Sequence, residues 1–86
     1  MCRNIRPLFN YDPPSTEQDA HAAALQFVRK VAGTRTPSQV NQAAFDKAVD
    51  AISAEVWQLL STLQTQAPPR NRELELQRSR DRRLRE

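Results

Sequence analysis

The sequence predicts an all-α fold: an antiparallel helical hairpin over about residues 17–32 and 37–66, with an ordered N-terminal arm and a charged C-terminal helix. Three observations carry this expectation. Glycine occurs once in 86 residues, while Ala, Gln, Leu, Glu and Arg, all good helix formers, are frequent. Two stretches place apolar residues at helical spacing. All prolines fall at or beyond the ends of those stretches, where the missing N–H does no harm.

Residues 1–14 are expected to be extended, because Pro7 and the Pro13-Pro14 pair exclude a regular helix. This arm carries Ile5, Leu8, Phe9 and Tyr11, which a solvated leader would not need. The first helix starts after Ser15 or Thr16 as N-cap, with Glu17 and Asp19 suited to its positive end. Its inward stripe is Ala20, Ala24, Phe27, Val28 and Val31, with Leu25 on the flank. Arg29 and Lys30 suit the last turn, and Gly33 supplies the left-handed residue that ends it. The second helix is expected to open on Thr36-Pro37-Ser38-Gln39, with Thr36 as N-cap, Pro37 at the first helical position and Gln39 completing a capping box, or with Ser38 as an alternative cap. Its seam is Phe45, Val49, Ile52, Val56, Leu59 and Leu63, in alternating steps of four and three. Val40, Trp57 and Leu60 widen it, and Pro68-Pro69 closes it.

At 1.5 Å per residue the second helix would span roughly 45 Å and the first roughly 24 Å. A short connection makes them antiparallel neighbours, so the first helix covers only half of the second. Val56, Trp57, Leu60 and Leu63 are left as the candidate interaction surface, to be covered by the arm, by a second subunit, or by both. Trp57, one step off the main seam, is either a core-edge residue or an anchor for a partner.

Charge divides the chain into two parts, a helical domain with its arm at 1–69 and an arginine-rich tail at 70–86. Of the residues 27% are charged and the net charge is +3. The tail accounts for all of it: seven arginines against four acids, while basic and acidic residues balance in 1–69. The tail is expected to be helical or partly disordered, supported by Glu73–Gln77 and Asp81–Arg85 spacings. Arg70, Arg72, Arg78, Arg80, Arg82, Arg83 and Arg85 could meet nucleic-acid phosphates. The interleaved acids weaken that field, and no aromatic residue follows Trp57 to stack on bases. No run approaches the about 20 apolar residues of a membrane span, and the N-terminus lacks the apolar stretch of a signal peptide. One cysteine forms no internal disulfide. A cytoplasmic protein without membrane contact is expected.

The sharpest chemical candidate is Cys2. Removal of Met1 would expose an N-terminal cysteine whose amine could serve its thiol as base or join it in chelating a metal. Arg3 and Arg6 would lower the thiol pKa. Against this stands a small packed or merely exposed cysteine. His21, the only histidine, would need the arm folded onto the first helix to reach Cys2. Cys2, His21 and Asp12 make a poor zinc set, so no metal or cofactor is expected, and no Gly-rich phosphate loop, HExxH or GxSxG occurs. An enzyme is therefore not the favoured reading. A small core gains from oligomerisation, and a non-enzymatic interaction protein, acting as a homodimer or as a subunit of an assembly, is expected first. Thiol or metal chemistry at Cys2 and nucleic-acid binding by the tail follow.

The opening Met1-Cys2-Arg3-Asn4-Ile5-Arg6 resembles that of an uncharacterised bacterial family, domain of unknown function family 2277. The resemblance continues through Pro13-Pro14-x-Thr16, Ala23-Ala24-Leu25-Gln26-Phe27-Val28-Arg29-Lys30, Pro37, Asn41, Ala44-Phe45, Leu59-Leu60 and Ala67-Pro68-Pro69-Arg70. It implies a small bacterial cytosolic protein and no particular activity. It also marks the arm residues Cys2, Arg3, Asn4 and Arg6 as the place to look for function.

Overall fold

A computed structural model of the chain describes residues 5–85. The elements run β1 (Tyr11–Asp12), α1 (Glu17–Ala32), a 3-10 turn (Gln39–Asn41), α2 (Gln42–Thr62), β2 (Arg70–Asn71) and α3 (Arg72–Arg85). The chain is mostly helical, and the expected C-terminal helix is present.

The first helix has the expected bounds, but of its expected inward stripe Phe27 and Val31 are exposed. Thr16 is extended and its hydroxyl accepts from the Asp19 N–H, while the Asp19 carboxylate accepts from the Thr16 N–H at 2.8 Å. This reciprocal pair satisfies two donors that helix geometry leaves without partners. At the other end Gly33 takes φ 73°, a left-handed conformation that costs a glycine little, and its N–H bonds the Arg29 carbonyl.

The second helix is shorter than the expected 37–66 at both ends. Ser38 stays extended with ψ 164°, and its hydroxyl accepts from the Asn41 side-chain amide instead of a helix N–H. The expected capping box at Thr36 is therefore replaced by a 3-10 turn leading into Gln42. At the C-terminal end, the hydroxyls of Ser61 and Thr62 bond back to the carbonyls of Trp57 and Gln58 at 2.9 and 2.7 Å. Such back-bonds compete with the helix ladder, and Leu63 turns extended at ψ 143°. Thr65 then accepts from the Ala67 N–H, holding a bend before the prolines.

The core lies along the α1–α2 contact. Among the described residues the buried ones are Ala20, Ala24, Val28 and Val49, with Leu25, Phe45, Ala48 and Ile52 packed around them. The alanines of α1 let the helices approach closely. Phe45, Val49, Ile52 and Val56 all turn inward at least in part, but the seam then shifts. Trp57 and Leu60 are half-buried, whereas Leu59 and Leu63 are exposed. A straight helix of 3.6 residues per turn drifts off a strict heptad, and the arm lies on the Trp57 side.

An exclusively helical reading is corrected by one small element: β1 and β2 pair in parallel, Tyr11 opposite Arg70 and Asp12 opposite Asn71. Two-residue strands are too short to leave a period in the sequence. Apart from Arg72 at its start, which meets Asp19 of α1, α3 packs little on α1 or α2 and continues directly from β2.

Candidate functional site

The arm is shaped by its own backbone. Asn10 adopts φ 66°, a left-handed conformation that Asn tolerates better than most residues, and the Asp12–Pro13 peptide is cis. Ser15 donates to the Leu8 carbonyl at 2.6 Å, closing the arm on itself just before α1. Asn10 then reaches the chain beyond α2, donating to the carbonyls of Ala67 and Pro68 at 3.3 and 3.2 Å and accepting from the Arg70 N–H at 2.7 Å.

The side chains that follow form a polar clasp centred on Tyr11. Its hydroxyl donates to Glu75 Oε1 at 2.9 Å and accepts from Arg70 Nη1 at 3.4 Å. The guanidinium carbons of Arg70 and Arg72 stand 5.6 and 5.2 Å from the ring centroid, within cation–π range. Arg72 also donates to the Pro13 carbonyl at 3.2 Å and to Ser15 Oγ at 3.1 Å, and lies 3.9 Å from Asp19. Asp19 thus serves the α1 cap and the clasp together. Asn71 caps α3 by accepting from the Leu74 N–H at 2.7 Å. The hydrogen bond to Tyr11, with a smaller push from the Glu75 carboxylate, raises the Arg70 pKa above its ordinary value.

Two hollows flank the helices. The first, of about 260 Å³, lies between the arm and the end of α2, lined by Leu8, Phe9, Tyr11, Pro14, Trp57 and Leu60 among others. The second is shallow, of about 500 Å³, with His21, Leu25 and Arg29 of α1 facing Phe45, Asp46 and Asp50 of α2. His21 is exposed there. Among the described residues no three His, Cys, Asp or Glu side chains converge as a metal cage would need.

The sequence-predicted residues scatter over this frame. Cys2, Arg3 and Asn4 lie outside the described residues, and Arg6 is exposed at the start of the arm. Val56, Trp57 and Leu60 are half-buried, the last two beneath the arm, and Leu63 is exposed just past α2. Arg78 and Arg80 are exposed on α3, and Arg82 and Arg83 lie within the same helix. Arg70 and Arg72 are engaged by the arm instead of standing free. Sequence reasoning missed the set of Tyr11, Arg70, Arg72 and Glu75. Tyr11 counted as apolar cover, and its partners lie 59 to 64 positions away. The only advance signal was a tyrosine beside a proline pair, opposite an arginine after another proline pair.

Fold and site together define a small helical protein with one apolar helix pair and a polar clasp joining its N-terminal arm to the start of α3. The chain belongs to the family described as uncharacterized conserved protein (DUF2277), which it matches over residues 1–78. It matches no curated protein and no solved structure.

Proposed function

We propose that this chain is a cytoplasmic, non-enzymatic interaction protein that works as a homodimer or as a subunit of a larger assembly. One observation carries the reading. The chain exposes 7180 Å², whereas a compact monomer of its 9.8 kDa would expose about 5,200 Å². α3, which packs little on the helix pair, accounts for part of the roughly 2,000 Å² excess, and a standard interface takes about 800 Å² from each partner. The surface includes large apolar side chains at Phe27, Val31, Val40, Leu59 and Leu63, while among the described residues nothing larger than valine is buried. A core of that size supplies little stability alone.

The proposal includes an antiparallel course for α1 and α2. It is supported by Pro14 and Ser15, just before α1, lining one hollow with Trp57 and Ser61 near the end of α2. Arg29, late in α1, lines the other hollow with Gln42 at the start of α2. Light scattering on the purified chain across a wide concentration range tests the reading. A dimer or larger species at micromolar concentration is expected, and a monomer throughout that unfolds at a concentration-independent temperature would overturn it.

A second reading, phosphate-backbone binding by α3, is favoured by its position off the helix pair with Arg78 and Arg80 exposed. Its mark would be a salt-dependent affinity for a nucleic acid that disappears on deleting residues 76–86; unchanged binding after deletion excludes α3.

A further inference from the structure

The α1–α2 pair has two flanks, and they differ in chemistry. One flank opens into the hollow of His21, Leu25, Arg29, Asp46 and Asp50, where charged side chains of both helices stand beside apolar Leu25, Phe45 and Val49. At 100° per residue, Phe27 sits roughly 160° around α1 from both Leu25 and Arg29, and Leu59 roughly 180° around α2 from Asp50. Phe27 and Leu59 therefore belong to the opposite flank. Each is followed one turn later by a second apolar residue, Val31 and Leu63. These four are 47%, 71%, 54% and 44% exposed. Half-buried Ala48 and Ile52 lie between them and join this flank to the core. With the antiparallel course proposed above, Phe27 and Val31 mark one end of the flank and Leu59 and Leu63 the other.

We infer that this flank is the homodimer interface, with Phe27 and Val31 of each copy packing on Leu59 and Leu63 of the other. The inference rests on the association proposed above and assigns its surface and its partner. A second copy is the occupant the geometry selects. Two apolar pairs at opposite ends of one face are self-complementary under a two-fold axis lying in the interface, where residue i meets j and j meets i. A second copy also provides the missing layer: two helices in mutual contact bury one side each, and a stable domain needs a second packed layer over the free apolar side. The surface excess noted above leaves room for the roughly 800 Å² per copy of a standard dimer. The flank of Asp46 and Asp50, like the clasp, stays outside the contact.

Sedimentation velocity with the full-length protein, over a dilution series, tests the inference through Phe27→Asp and Leu59→Asp. Both sites are already exposed, so folding should survive, as circular dichroism at equal concentration would confirm. Each variant is expected to weaken dimerisation at least about tenfold, as interface anchors do. Leu76→Asp, on α3 away from this flank, should leave it unchanged. A wild-type dimer unaffected by Phe27→Asp and Leu59→Asp, or broken by Leu76→Asp, overturns the assigned face and leaves the association reading standing. A wild-type monomer at every concentration overturns both. Should Phe27→Asp lose helicity, Leu59→Asp alone decides, because its side chain lies near the end of α2 beyond the buried core.

Discussion

The α1–α2 pair and the Tyr11 clasp hold one short chain together by opposite means. The helix pair relies on small apolar residues, Ala20, Ala24, Val28 and Val49, removed from water along one seam. The clasp relies on directed bonds between half-exposed polar groups: Tyr11 to Glu75, Arg70 to Tyr11, Arg72 to Pro13 and Ser15. Apolar burial is non-directional and sums over area, so disturbing it affects the whole fold. A hydrogen bond contributes only about 1 kcal/mol net, so a clasp of several such bonds is a separable fastening. The contrast suggests a division of labour in which the seam makes the protein fold and the clasp decides where α3 points.

That division can be broken in order of expected effect. Val49→Asp puts an unpaired charge into the only buried position of α2 among the described residues. It should cost more than about 3 kcal/mol and abolish a cooperative thermal transition followed by circular dichroism. Tyr11→Ala removes the hydroxyl and the ring beneath both guanidiniums, and should cost about 2 kcal/mol. The loss should be local: amide exchange in α3 accelerates while the amides of Ala24 and Val28 keep their protection. Equal acceleration in both would show that seam and clasp are one cooperative unit. Tyr11→Phe keeps the ring and should lose about 1 kcal/mol, separating hydroxyl from ring.

Asp19→Ala touches both regions, because its carboxylate completes the α1 cap and faces Arg72. About 1 kcal/mol is expected from the cap, and a double-mutant cycle with Arg72→Ala reads the remainder. A coupling above about 1 kcal/mol would make the ion pair more than a surface contact. The smallest effect is salt. Raising NaCl from 0.1 to 1 M should shift stability by less than about 0.5 kcal/mol, since the 3.9 Å Arg72–Asp19 pair is about one-third exposed on both sides. A larger loss, seen in the melting midpoint, would mean that charge contributes more to the clasp than hydrogen bonding.

Local chemistry in the sequence determined the helices. Thr16, Asp19 and Gly33 fix the ends of α1 because caps and left-handed glycines act within a few residues of themselves. Periodicity placed Val49 on the seam for the same reason. It read α2 too long because the back-bonding hydroxyls of Ser61 and Thr62 and the extended Ser38 compete with the helix in ways a hydrophobic pattern does not record. Only the tertiary structure decided that Tyr11 meets Arg70, Arg72 and Glu75, and that the seam passes from Leu59 to Leu60 under the arm. Those contacts join residues that precede α1 to residues that follow α2, so they exist only once α1 and α2 have brought the arm and the start of α3 to the same place.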